Sequence, residues 1–361
     1  MDRTVRIIYG KDIPKMTREL LSSYGVEKKI PSADAAIVLK PNLVAVSRPE
    51  EGAVTHTEIV IETIEYLQSH GFRNITIAEG SWVGASTKEV FALNGYPEIA
   101  KKYDVRLLDT KHDKFRTVTS CGMDMEISET ILNADYLISM PVLKGHCQTK
   151  MTSAMKNLKG CLSDRSKRDF HKRGLMLPIA ALNMVVKPDL NIIDSISGDL
   201  DFEEGGNPVE TDRMILSDDS LAADIFSASL MGYRPEDIGY IKTAGTLGCD
   251  ISSENIKVLE LNKPTEARSS HPTGEALKLG RYTDADDACS ACYASLIRAL
   301  KRLDDEGCLR NVKEKIAIGQ GWRGKAPHFG VGACCRGADE YVKGCPPSAA
   351  DVTAALMEKF S

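Results

Sequence analysis

The chain has 361 residues, 42 % of them hydrophobic, and a formal net charge of −5. That apolar content excludes a disordered polyelectrolyte, and the acidic balance excludes a broad nucleic-acid-binding face while leaving room for a local cationic pocket. No apolar run approaches the ~18 residues of a membrane-spanning helix, and the opening MDRTVRIIYG lacks a signal-peptide core. The expected setting is therefore the cytoplasm, with neither membrane nor nucleic acid among its partners.

In chain order, AAIVL (35–39) reads as a buried strand that ends in Lys40, Pro41 and Asn42. THTEIVIETIEYLQSHG predicts a helix opened by a capping box of Thr55 and Glu58 and stopped by Gly71. NITIA (74–78) predicts a strand ending at Glu79 and Ser81, and VRLLD (105–109) another. DYLISM (135–140) predicts a strand running out toward Lys144 and His146.

Met151, Met155, Leu158 and Leu162 then fall at helical spacing, with Thr152, Lys156, Lys159 and Ser163 as a neighbouring polar stripe. LNII (190–193) predicts a strand ending at Asp194. EEGGNP (203–208) reads as a flexible acidic loop, a turn first and a lid as the alternative, and SLAADIFSASLMG (220–232) as a helix with a Ser cap. Strands alternating with helices predict an α/β fold, a doubly wound, mostly parallel sheet. A polar, aperiodic stretch at 262–287 divides an α/β core, 1–265, from a small cysteine-rich C-terminal module, 282–361.

In open α/β sheets ligands sit beyond the carboxyl ends of the strands. By that rule His146, Lys144 and Glu79 are candidate catalytic residues. Lys40, Asn42, Ser81, Lys156, Asn157 and Asp194 are candidate ligand contacts, and the concentration of cations points to a small anionic ligand. The same residues admit plainer roles. Lys156 and Lys159 fit a solvated face, His146 a hydrogen-bonded loop, Glu79 and Asp194 helix caps, Asp224 an ion-pair partner, and Cys147 and Cys161 inert thiols.

Six of the ten cysteines crowd the last quarter: Cys289, Cys292, Cys308, Cys334, Cys335 and Cys345. Without an export signal, such clustering points to metal or redox chemistry. Cys289 and Cys292 form a C-x-x-C pair, Cys334 and Cys335 lie in GVGACCRG, and Cys345 lies in KGCPPSA. A [4Fe–4S] cluster requires four thiolates, which Cys289, Cys292, Cys334 and Cys345 supply, with Cys335 the substitute for Cys334. Zinc is the competing metal, since four thiolates suit it equally by count. Cys308 is expected to face the core of the module.

VLKPNLV, PVLKGHCQTKMTSAMKNLKG and DDSLAADIFSASLMGYRPEDI resemble the blocks of the domain of unknown function 362, over about residues 35–245. Its most specific element is Lys144-x-His146 followed by AMKN, Ala154 to Asn157. The resemblance implies an iron–sulfur-associated α/β protein and names no substrate. The tail departs from the usual ferredoxin run C-x-x-C-x-x-C-x-x-x-C-P and looks like a different cluster module. No Walker A loop, G-x-G-x-x-G fingerprint or H-E-x-x-H helix is present.

Three functions are then open. One is an iron–sulfur oxidoreductase exchanging electrons with a small anionic substrate and a redox partner protein. Another is a lyase or isomerase acting on an organic acid, with the cluster as Lewis acid or staple. The third is a cluster-based sensor or binding protein. No sequence feature fixes the oligomeric state.

Overall fold

The computed structural model describes residues 3–264, 266 and 270–361, so Thr265, Ala267, Arg268 and Ser269 of the expected connection lie outside the described residues. The chain divides into two compact units, Met1–Arg168 with Met176–Pro272, and Asp169–Leu175 with Thr273–Ser361. Among the described residues no helix is long and apolar enough to cross a membrane.

The first unit is an α/β fold. Its strands are β1 (Thr4–Tyr9), β2 (Ile37–Pro41), β3 (Ile75–Glu79), β4 (Arg106–Asp109), a hairpin of β5 (Phe115–Ser120) and β6 (Met123–Ser128), and β7 (Tyr136–Met140). They are followed by a short hairpin of β8 (Lys144–His146) and β9 (Lys150–Thr152), then β10 (Leu190–Asp199), β11 (Pro208–Ser217) and β12 (Lys257–Glu260). Eight of them form one sheet in the order β12-β1-β11-β10-β7-β2-β3-β4. All neighbours are parallel except β11, which runs antiparallel to both β1 and β10.

β2, β3 and β7 are buried at every position, as expected of strands covered on both faces. From β2 the chain builds outward through β3 to β4. It then returns to β7 on the other side of β2 and continues to β10. The two neighbours β2 and β7 therefore send their connections in opposite directions, which opens a crevice at their carboxyl ends.

Three local expectations are corrected. The second helix runs Thr57–Ser69 without a side-chain cap. Thr55 cannot cap it because its hydroxyl accepts from Asn42 N at 2.8 Å and donates to Met140 O at 2.7 Å, tying the ends of β2 and β7 together. The stretch after Lys144 is not one helix but the β8–β9 hairpin followed by a single turn, Ala154–Asn157. Met151, Met155, Leu158 and Leu162 are all buried, so the spacing reported burial and not helix. The helix Ser220–Leu230 is capped by Asp219, whose Oδ1 accepts from Leu221 N and Ala222 N at 2.9 Å.

The second unit holds a four-stranded, wholly parallel sheet in the order β13 (Thr283–Ala285), β14 (Ile316–Ile318), β15 (Phe329–Val331), β16 (Glu340–Val342). The helices Ser290–Asp305 and Ala349–Phe360 pack on each other beside it.

Candidate functional site

Two linked polar nests occupy the carboxyl ends of β2, β3 and β7. The inner one is a closed relay. Lys144 Nζ donates to Asn42 Oδ1 at 3.0 Å, Asn42 Nδ2 to Asn157 Oδ1 at 3.0 Å, and Asn157 Nδ2 to Ser139 Oγ at 2.9 Å. Lys40 Nζ donates to the same Asn157 Oδ1 at 3.3 Å and pairs with Glu79 Oε2 at 2.5 Å. Glu79 Oε1 accepts from Gly80 N at 2.7 Å, so both carboxylate oxygens are engaged. Gly160 makes the space: a Cβ there would lie 2.0 Å from Glu79 Oε1 and 2.7 Å from Lys40 Nζ.

Ser81 is buried with its Oγ unpartnered among the described residues, while its carbonyl and that of Gly80 accept from Lys167 Nζ at 2.9 Å. Lys40, Glu79 and Asn157 thus brace the strand ends, and Lys144 links them to the outer nest.

The outer nest converges on Glu203, a residue of the stretch that the sequence presents as a turn. His146 Nε2 lies 3.1 Å from Glu203 Oε2, and Lys156 Nζ binds Glu203 Oε1. Thr152 Oγ1 accepts from Lys156 Nζ at 3.0 Å. His146 Nδ1 accepts from the backbone N–H groups of Gln148 and Thr149, each at 3.0 Å. A nitrogen that accepts two N–H bonds carries no proton, so the ring is the neutral Nε2–H tautomer and donates to Glu203.

Burial, then the Lys156 charge, pushes His146 down to about 4. Burial works against the charge of Glu203, but Lys156, His146 and Lys144 more than offset it and hold the carboxyl well below its ordinary range. Burial also pushes Lys144 down to about 8 and Lys159 to about 7, in each case with help from Lys156.

Asp194 lies within the longer strand β10 and meets a partner the sequence reading did not single out. His56 Nδ1 and His56 N both bond Asp194 Oδ2 at 2.8 Å. Burial alone would lower His56, but the field and hydrogen bond of Asp194 raise it to about 9, so the ring is cationic at neutral pH. The bonds of His56 to Asp194 run through its backbone N and Nδ1 and leave Nε2 out of the pair. Among the described residues Asp224 forms no ion pair: it accepts from Met155 N at 3.3 Å beneath the turn Ala154–Asn157, and burial raises it to about 7.

In the second unit the cysteines follow the carboxyl ends of parallel strands, which all lie on one edge. Cys289 and Cys292 follow β13, Cys334 follows β15 and Cys345 follows β16. Cys289 occupies the N-cap of the helix Ser290–Asp305 and Cys292 its first turn. Burial pushes the Cys292 thiol up to about 12, with further upward pressure from Cys289, Cys345, Cys334 and Cys335. Cys289 is raised by burial and then by Cys334 and Cys345. Arg323, beyond β14, is raised by its proximity to Cys334 and, less, by Cys289 and Cys345.

Cys335 turns the other way: it is buried, and its Sγ reaches Ala317 O at 3.4 Å. Cys308 is half-buried beside Glu306 O, not in the core of the unit. Among the described residues no group of three or more His, Cys, Asp or Glu is arranged to hold a metal ion.

The sequence profile described as Domain of unknown function (DUF362) matches residues 37–229, more than half of the chain. The chain belongs to this family. It is 26 % identical over 265 residues to the thylakoid-associated protein sll1697 of Synechocystis sp., across 69 % of this chain and 79 % of that protein. Among solved structures, the lactate racemase apoprotein from Thermoanaerobacterium thermosaccharolyticum aligns over 62 % of this chain at 10 % identity, with a TM-score of 0.42. The alignment spans 56 % of the length of that structure.

Every core residue singled out from the sequence falls inside the DUF362 match, as do His56, Lys167 and Glu203, which it missed. The four thiols fall outside it. Glu203 carried one usable signal, an acidic residue ahead of Gly205-Gly206 just beyond a strand, on the side where the cations end. Lys167 carried none, because its role depends on two backbone carbonyls.

Proposed function

We propose that this DUF362 protein binds a small anionic ligand in the Lys144–His146–Lys156 pocket of its first unit and carries a [4Fe–4S] cluster on Cys289, Cys292, Cys334 and Cys345 of its second, acting as an oxidoreductase. The observation that carries this reading is that four thiols distant in sequence follow the carboxyl ends of three strands of one parallel sheet, and so lie along one edge of it.

The four thiols are not drawn together into a metal-holding group among the described residues, but their surroundings suit an anionic cluster. Thiolates crowded together repel, and Arg323 and the N-terminus of the helix Ser290–Asp305 supply positive potential beside them. Gly332, at the turn beside Cys292 Sγ, has φ +91°, a conformation strained for other residues. When bound, the cluster supplies one-electron chemistry. The geometry favours Cys334 over Cys335 as the ligand, because Cys335 is committed to Ala317 O.

The protein's own side chains do the rest. Lys156 Nζ and His146 Nε2–H donate to the oxygens of the ligand. Lys144 adds charge at longer range, its ammonium oriented by Asn42 Oδ1 and Ala53 O. A redox partner protein exchanges electrons with the second unit.

Anaerobic reconstitution with iron and sulfide, followed by dithionite titration, tests the redox reading. A brown protein whose visible absorption bleaches and returns on reoxidation is expected. A loaded protein that cannot be reduced reversibly rules it out.

Two imidazoles in opposite charge states favour a second reading. His56, held cationic beside Asp194, would supply a proton, while His146, its Nδ1 engaged by two backbone N–H groups, would act only as a neutral donor through Nε2–H. Proton transfer on an organic acid, as an isomerase or lyase performs it, needs no net electron flow. Deuterium uptake from solvent into a bound carboxylic acid, without added reductant, distinguishes it.

A further inference from the structure

We propose that Glu203 is a built-in stand-in for the ligand, and that the pocket takes a carboxylate which displaces it. The inference rests on the anionic-pocket reading above and names its ligand class. Glu203 bridges two donors as a substrate carboxylate would, one oxygen on His146 Nε2 at 3.1 Å and the other on Lys156 Nζ. The donors beneath it are sealed: the side chains of His146 and Lys156 are 2 % and 1 % exposed, whereas that of Glu203 is 19 % exposed. Glu203 is therefore the member of the trio through which the outside reaches the cations.

The segment that carries Glu203 is shaped for this presentation. Asp199, the last residue of β10, accepts from Asp201 N at 3.0 Å and Phe202 N at 2.9 Å through Oδ1, and from Asn207 N at 2.9 Å through Oδ2. One carboxylate thus staples both ends of a short loop. Inside the staple, Gly205 has φ +77° and Gly206 φ +121°, conformations open to glycine and strained for other residues. Gly206 N docks on Glu51 O at 2.9 Å, and a Cβ on Gly205 would lie 2.3 Å from the same carbonyl. The loop closes over residues 51–53, and Ala53 O in turn accepts from Lys144 Nζ.

A carboxylate tethered this way competes with free ligand at a high effective concentration, so small carboxylates bind the native chain weakly. The ligand is one that adds contacts beyond its carboxylate or reaches high concentration.

The test uses the full chain as Glu203→Ala and Glu203→Gln beside wild type, titrated with acetate and separately with inorganic phosphate. The readouts are the His146 ring signals in nitrogen-15 spectra and the melting temperature. Acetate is expected to bind both variants about tenfold or more tighter than wild type, shifting the His146 signals. Adding Lys156→Met should abolish the effect.

Equal acetate affinity in wild type and variants overturns the stand-in while leaving the anionic pocket intact. Phosphate binding without acetate binding overturns the carboxylate assignment alone. Variants that bind neither anion overturn both this inference and the pocket. Should Glu203→Ala fold poorly, acetate that raises its melting temperature supports the proposal, and acetate that does not overturns it.

Discussion

Lys40 Nζ and Glu79 Oε2 lie 2.5 Å apart at the carboxyl ends of adjacent strands, with side chains 0 % and 4 % exposed. Each charge is far from water, so each depends on the other and on Asn157 and Gly80 N. Lys40→Met leaves a carboxylate buried without its counter-ion and is expected to cost about 3–5 kcal/mol. The double variant Lys40→Met/Glu79→Leu should recover much of that loss. Urea midpoints of the two single variants and the double variant check both statements.

Gly160 is expected to be intolerant of any side chain for the same reason. A methyl group would meet both members of the ion pair, 2.0 Å from Glu79 Oε1 and 2.7 Å from Lys40 Nζ. Gly160→Ala should destabilise the protein by about 1–3 kcal/mol, the range for overpacking. The penalty should shrink in a Glu79→Ala background. Equal penalties in both backgrounds would place the clash elsewhere.

The His56–Asp194 pair makes stability depend on alkaline pH. His56 is raised from 6.5 to about 9 in the folded chain. Its contribution is therefore complete below about 6.5 and fades as pH rises through about 9, a loss of at most about 3 kcal/mol. Asp194, held low by His56 against the pull of burial, loses the same contact at the acid end, as pH falls through its lowered value. Urea midpoints at pH 6, 7.5 and 9 should fall in that order for wild type, and His56→Gln should flatten the trend.

His146 should behave oppositely. Its lowered pKa, about 4, keeps the ring neutral across the physiological range. Nitrogen-15 shifts should report a bare Nδ1 and a protonated Nε2 from pH 6 to 8. A ring that titrates near 6.5 would mean that the two backbone donors do not reach Nδ1.

The strands around the crevice were legible because they are covered on both faces and read as plain apolar runs: 35–39, 74–78 and 135–140 lie within two residues of the strands observed. β1, β11 and β12 were not read. β12 is exposed at every position, and the buried run of β11, Arg213–Ser217, is short, begins with a charged residue and follows a half that is mostly not buried.

Within the site, Lys40, Asn42, Lys144 and Asn157 meet because the strand-end rule depends only on topology, which alternation makes visible. Met151, Met155, Leu158 and Leu162 misled, since a hairpin and a single turn can bury residues at helical spacing. His56 escaped because its role comes from a distant partner, Asp194, and Glu203 showed only a weak local signal, since its role comes from His146 and Lys156.

The assignment of one cofactor to four named thiols is tested most directly by iron and sulfide content after anaerobic reconstitution, in wild type and in single Cys→Ser variants at 289, 292, 334, 335 and 345. About four irons and four sulfides per chain are expected in wild type and in Cys335→Ser, with sharp loss in the other four variants. Loss at Cys335 with retention at Cys334, or a colourless chain holding one zinc ion, would contradict it.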